Sequence, residues 1–207
     1  MKGGRLRNRD RYLEEAMLFR DTDLIKVITG VRRCGKSSLL DLIRMAIESE
    51  GVAGRGFVSV NLESKGTGIK TEDRLYDYVR GRLSDKGRTY VFIDEPQRID
   101  GWQDAVNAMR VDFDCDIYLT GSNAYLLSSE LATYLSGRYV EVKMLPLSFS
   151  EFADFCGIEF VLGTSVALTP EGDPVLFDDM LTRYLEYGGM PAIASLSTTQ
   201  AQHSAYM

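Results

Sequence analysis

An apolar run, LIKVIT (24–29), stops at Gly30, and the next seven residues read VRRCGKS. The spacing is G-x-x-x-x-G-K-S, with Gly30, Gly35, Lys36 and Ser37 at the fixed positions. The run before it has the length and β-branching of a buried strand. The stretch after it, Ser37 to Glu50, carries Leu39, Leu40, Ile43, Met45 and Ile47 on an apolar helical face and closes at Gly51. Strand, glycine-bearing turn and helix in that order aim backbone N–H groups and the positive end of a helix at one point, where a phosphate fits. Lys36 adds a point charge between β- and γ-phosphates, and Ser37 offers a hydroxyl to Mg2+. Val31, Arg32, Arg33 and Cys34 fill the free positions, and with Ser38 they complete the nucleotide-binding stretch. Cys34 stands beside two arginines and near a helix start, a setting that lowers a thiol pKa.

The rest of the chain alternates strands with helices. GFVSVNL (56–62), RTYVFIDE (88–95), CDIYLTGSN (115–123) and GRYVEVKMLPL (137–147) read as further strands. Apolar residues at helical spacing predict helices over 11–20, 71–84, 101–111, 148–157 and 178–189. Residues 161–177 carry Pro and Gly punctuation and read as a loop with room for a short hairpin. Parallel strands need long crossovers, and helices supply them. The fold class is therefore α/β, a parallel sheet of about five strands covered on both faces. Sites in such sheets lie at the carboxyl ends of the strands. The polar clusters at 30–37, 94–95 and 120–123 all fall there.

Two of those clusters extend the phosphate loop. Asp94 ends the third strand, where a carboxylate holds Mg2+ through water, and Glu95 beside it can polarise water for attack on a γ-phosphate. In TGSN (120–123), Ser122 and Asn123 are candidates to hydrogen-bond the γ-phosphate or the attacking water; capping the next helix is the other role open to them. Arg138 either answers γ-phosphate charge or pairs with a surface carboxylate. Asn61 and Glu63, at the end of the second strand, either reach the site or merely end the strand, and the second reading is favoured.

Composition excludes several classes. With 44% hydrophobic and 26% charged residues in 207, the chain suits a soluble globular protein with a real core. A net charge of −6 does not suit a chain built to coat nucleic acid. The basic opening, Lys2, Arg5, Arg7, Arg9 and Arg11 against Asp10, reads as a solvated terminus in preference to an arm that touches phosphates. No secretory apolar region follows it, and no apolar run reaches the length of a membrane span. Three cysteines, Cys34, Cys115 and Cys156, suit neither a zinc site nor a disulfide framework, which points to a reducing cytoplasm.

LIKVITGVRRCGKSSLL, YVFIDEPQRIDGW, IYLTGSNAYLLSSELATYLSGRYVEVKMLPLSFSEF and YLEYGGMP together resemble the AAA-type P-loop ATPases of bacteria and archaea. In that family one P-loop domain precedes a C-terminal domain of unknown function. The resemblance covers most of residues 11–192. It implies a three-layer P-loop NTPase fold with strand order 5-1-4-3-2, and ATP with Mg2+ as ligands. It implies Gly30, Gly35, Lys36 and Ser37 in the phosphate loop, with Asp94 and Glu95 as the metal and water carboxylates. GSN and SGR match further family motifs, which favours catalytic roles for Ser122 and Arg138.

The expected organisation is a basic arm and helix over 1–20, an ATPase core over 21–157, and a variable loop with a helical segment over 158–207. Family members are about twice this long, so the chain reads as the front of a larger protein. The remainder would contact a protein or DNA partner. Arg138 would act in its own subunit or across a homo-oligomer interface. The expected activity is hydrolysis of ATP to ADP and phosphate. A nucleotide-gated switch with little turnover is the alternative, and a small-molecule kinase a more distant one, which the tandem Asp94–Glu95 disfavours.

Overall fold

β1 (Ile25–Gly30) is buried along its whole length. It pairs in parallel with β4 (Cys115–Ser122) on one side and β5 (Tyr139–Met144) on the other. β3 (Thr89–Asp94) adds to β4, and β2 (Phe57–Asn61) adds to β3, both parallel. The order is β2-β3-β4-β1-β5, the expected 5-1-4-3-2 read from the other edge. Both faces of the inner strands are covered, so IKVITG and TYVFID leave little room for polar alternation. The computed structural model describes residues 7, 9–52, 54–122 and 135–196.

Period-two alternation sorts the strand residues between two layers of helices. Ile25, Val27, Val58, Val60, Val91, Ile93, Ile117 and Leu119 form one core with Leu75 and Val79 of α3 (Glu72–Arg80) and Trp102, Val106 and Met109 of α4 (Trp102–Asp112). Burying each of the larger side chains is worth about 1.5–3 kcal/mol. The alternate residues point the other way. Phe92 stacks on Tyr118 at 5.1 Å between centroids, and Phe57 on Tyr90 at 5.7 Å. There α2 (Lys36–Ser49) lays Arg44 over the Phe57 ring, and α1 (Asp10–Met17) packs against α2. The three layers match the fold class read from the sequence.

The chain divides into two compact units, one of residues up to Gly30 with Lys36–Met144, the other of Val31–Gly35 with the residues from Leu145. In the second unit, α5 (Phe149–Cys156) packs against later helices. Its neighbours are α6 (Phe177–Tyr187) and α7 (Pro191–Ala194). Leu147, Phe152, Ala153, Ile158, Ala167, Met180 and Ala194 are the buried centre of this unit. Residues 161–177 carry more than a loop or a single hairpin. β6 (Glu159–Phe160), β7 (Val166–Leu168) and β8 (Pro174–Leu176) make a three-stranded antiparallel sheet. The strands are two or three residues long, too short for a periodic signal to stand out among Gly and Pro.

Candidate functional site

The loop that follows β1 has two residues in the left-handed region, Arg33 at φ 68° and Gly35 at φ 105°. Gly35 takes that conformation freely, whereas Arg33 stores about 1–3 kcal/mol of strain, a cost that clusters at ligand clamps. Arg32 and Arg33 are exposed, and Cys34 is fully buried. The burial of Cys34 overrides the reactive setting read from its neighbours, since a thiol without exposure meets no reagent. Lys36 opens α2 with 6% exposure, and its Nζ donates to Gly30 O at 3.0 Å. That bond ties the two ends of the loop.

Register then assembles the polar centre. Asn61 stands opposite Asp94, and Asp94 opposite Thr120, so three polar side chains share one level at the carboxyl ends of β2, β3 and β4. Asp94 is buried, at 7% exposure. Its Oδ2 accepts from Ser37 Oγ at 2.8 Å and from Asn61 Nδ2 at 2.9 Å, and its Oδ1 accepts from Thr120 Oγ1. Asn61 Oδ1 accepts from Glu63 N at 2.8 Å, which sets the direction of the amide. Three donors on one buried carboxyl group meet the demand that burial creates and fix its orientation. A cleft of about 270 Å3 adjoins it, lined by Ser37, Asp41, Arg44, Ser59, Asn61 and Asp94 among others. Burial pushes the Asp41 carboxyl pKa up; Arg44 opposes the shift and Asp94 adds to it.

Glu95 leaves β3 at φ 59°, and its N–H donates to Thr120 O at 3.2 Å. Gln97 Nε2 donates to Glu95 Oε2. Ser122 stands opposite Gly30 on the neighbouring strand, so its backbone lies at the loop end of the sheet. Its side chain, and Asn123, lie outside the described residues. Arg138 is elsewhere. Its carbonyl accepts from Ile25 N at 2.9 Å, at the opposite end of β1, and its Nη1 donates to Asn107 Oδ1 at 3.1 Å in α4. Ile25 and Gly30 stand at the two ends of one strand, about 17 Å apart. Among the described residues the side-chain partner of Arg138 is the Asn107 amide, with no carboxylate paired to it.

The structure thus brings Lys36, Ser37, Asp94 and Glu95 to one end of the sheet and leaves Arg138 at the other. It adds Thr120 and Gln97, and puts Asn61 against Asp94, the less favoured of its two sequence readings. Asn61 had a signal, a polar residue at a strand end, but nothing in a single sequence says which neighbour it meets. Thr120 is the first residue of TGSN, the segment that also holds Ser122 and Asn123.

A family model described as an AAA domain matches residues 22–153. An uncharacterized protein of Haemophilus influenzae is 42% identical over 188 residues, covering 90% of this chain and 44% of that protein. An uncharacterized protein of Methanocaldococcus jannaschii is 34% identical over 170 residues, covering 82% and 36%. The chain therefore spans less than half the length of these relatives. Among solved structures, the S. cerevisiae Hsp104:casein complex in its extended conformation aligns with a TM-score of 0.56 at 14% identity, over 96% of this chain and 38% of that one. At that identity the likeness concerns the fold.

Proposed function

The chain belongs to the AAA domain family, and from that premise we propose that it binds ATP with Mg2+ and hydrolyses it to ADP and inorganic phosphate. The observation that carries this reading is the buried Asp94 carboxylate in contact with the Ser37 hydroxyl at 2.8 Å, one residue after Lys36. Hard cations take oxygen ligands, and a hydroxyl beside a carboxylate is a donor pair that fits one. Ser37 and Asp94 would hold Mg2+, which when bound would supply positive charge to offset that of the phosphates.

The chain's own residues divide the remaining work. Backbone N–H groups from Val31 to Ser38 hold phosphate oxygens, and the exposed Arg32 and Arg33 raise the positive potential. Lys36 places its ammonium between β- and γ-phosphates. Ser122 contacts the γ-phosphate. Glu95 takes a proton from the attacking water. The water oxygen bonds to the γ-phosphorus, and the bond from that phosphorus to the bridging oxygen breaks. Its electron pair leaves on ADP, and the proton passes from Glu95 to the phosphate released.

Glu95→Gln tests the assignment. The variant should bind ATP as the wild type does and lose about 10²- to 10⁴-fold in phosphate release. Hydrolysis at the wild-type rate would remove Glu95 from the mechanism.

The position of Arg138 favours a second reading, a nucleotide-gated switch that recruits a partner and turns over slowly. Partner binding that differs between ATP and ADP states, with little phosphate released, would select it. The load, a protein or a DNA, falls to the remainder of a protein of the relatives' length. No helix among the described residues is long and apolar enough to cross a membrane. The cysteine usage suits the cytoplasm, the compartment we assign.

A further inference from the structure

We propose that Gln97 is the positioning residue that aims the Glu95 carboxylate. The inference rests on the reading of Glu95 as the group that activates water. The backbone of Glu95 is held on both sides. Its N–H reaches Thr120 O, and its carbonyl accepts from Arg98 N at 3.2 Å. Pro96 comes next, buried, at the head of a short 3-10 turn over Pro96–Arg98. Ile99 and Trp102, just beyond the turn, are anchored in the sheet's core. What stays free is the rotation of the Glu95 side chain. Gln97 Nε2 removes that freedom by donating to Oε2. One carboxylate oxygen is then committed and the other is left to receive a proton.

A second observation separates this role from packing. Gln97 Oε1 is buried and has no hydrogen-bond partner among the described residues. Burying an unmet acceptor is unfavourable, and such groups in native structures concentrate where function requires them. A residue kept for shape alone would be better served by leucine. An amide also serves both protonation states of its neighbour. Its N–H faces a carboxylate, and after a half-turn its oxygen accepts from a carboxylic acid.

The test is a cycle of Gln97→Leu, Glu95→Gln and the double variant, read by kcat and KM for ATP. Gln97→Leu should lower kcat between about 10- and 100-fold, the scale of a misplaced catalytic group, and leave KM within about twofold. In the Glu95→Gln background it should cost nothing further, because the group it aims is already disabled. An equal loss in both backgrounds, a wild-type kcat, or a rise in KM alone overturns the proposal. Glu95→Gln at wild-type speed overturns the reading beneath it instead. Should Gln97→Leu fail to fold, Gln97→Asn keeps the amide one methylene too short and is read the same way. A crystal structure of either variant gives an answer independent of turnover: the Glu95 side chain should leave its present rotamer, and an unchanged rotamer overturns the proposal.

Discussion

Lys26 and Asp116 face each other inside the sheet, with neither side chain exposed. Burial pushes the Lys26 ammonium pKa down and the Asp116 carboxyl pKa up, each resisted by the other's charge. Asp116 also accepts from Asp21 N at 2.9 Å and Tyr118 OH at 3.1 Å, whereas the further bond of Lys26 is a long one, 3.5 Å to Thr22 O. The carboxylate is therefore the hub. Asp116→Ala strands an ammonium and two other donors, and should cost about 3–5 kcal/mol in urea unfolding. Lys26→Met should cost less, because the carboxylate keeps two donors. Equal costs would mean that the pair acts alone. Asp94 is a hub of the same kind, with Ser37, Asn61 and Thr120 as donors, but there the gain is a fixed carboxylate at the site in place of a stabilising pair.

Short elements decide the second unit. α5 opens with a reciprocal cap: Ser148 Oγ accepts from Glu151 N at 3.3 Å, and Glu151 Oε2 accepts from Ser148 N at 2.8 Å. S-F-S-E announced that cap locally, and the helix was legible. The glycine pair after α6 is different. Gly188 has φ 77° and ψ −179°, a region open to glycine alone. Gly189 is needed for another reason: its carbonyl accepts from Leu147 N at 2.6 Å, and a Cβ there would strike the Leu147 carbonyl oxygen. Gly189→Ala should lower stability by about 1–3 kcal/mol through overpacking, seen as a lower thermal midpoint. An unchanged midpoint would mean that the two stretches of chain part without loss. The sequence marked GG as a helix end; only the fold shows that the second glycine meets Leu147, far earlier in the chain.

At the scale of the whole molecule, the sheet separates the candidate catalytic groups. Lys36, Ser37, Asp94 and Glu95 lie at the carboxyl ends of the strands, and Arg138 lies about 17 Å away at the amino end of β1. If Arg138 meets a γ-phosphate at all, that separation requires the nucleotide to be held by another copy. The specific rate of hydrolysis should then rise with protein concentration. Arg138→Ala should lose about 10³-fold or more, the scale of an arginine supplied across an interface. Mixing Arg138→Ala with Glu95→Gln should restore activity, since each copy supplies what the other lacks. A concentration-independent rate and an inactive mixture would assign Arg138 to its own subunit or to no catalytic role.

The sequence by itself determined the α/β class, and it marked the glycine-bearing loop after β1 and the two acids at the end of β3 as candidates. Each is a local pattern: a strand's β-branched run, a turn that only glycine tolerates, acids at a strand's last residues. The family resemblance supplied the strand order, which local spacing does not encode. Only the tertiary structure decided which polar residues meet. Parallel register set Asn61, Asp94 and Thr120 side by side from three distant segments, and a 3-10 turn brought Gln97 back onto Glu95. It also separated Arg138 from the motif it was grouped with, because β5 pairs with β1 from its amino end. Contacts across strands depend on register and order, and neither is written in the spacing of a single chain.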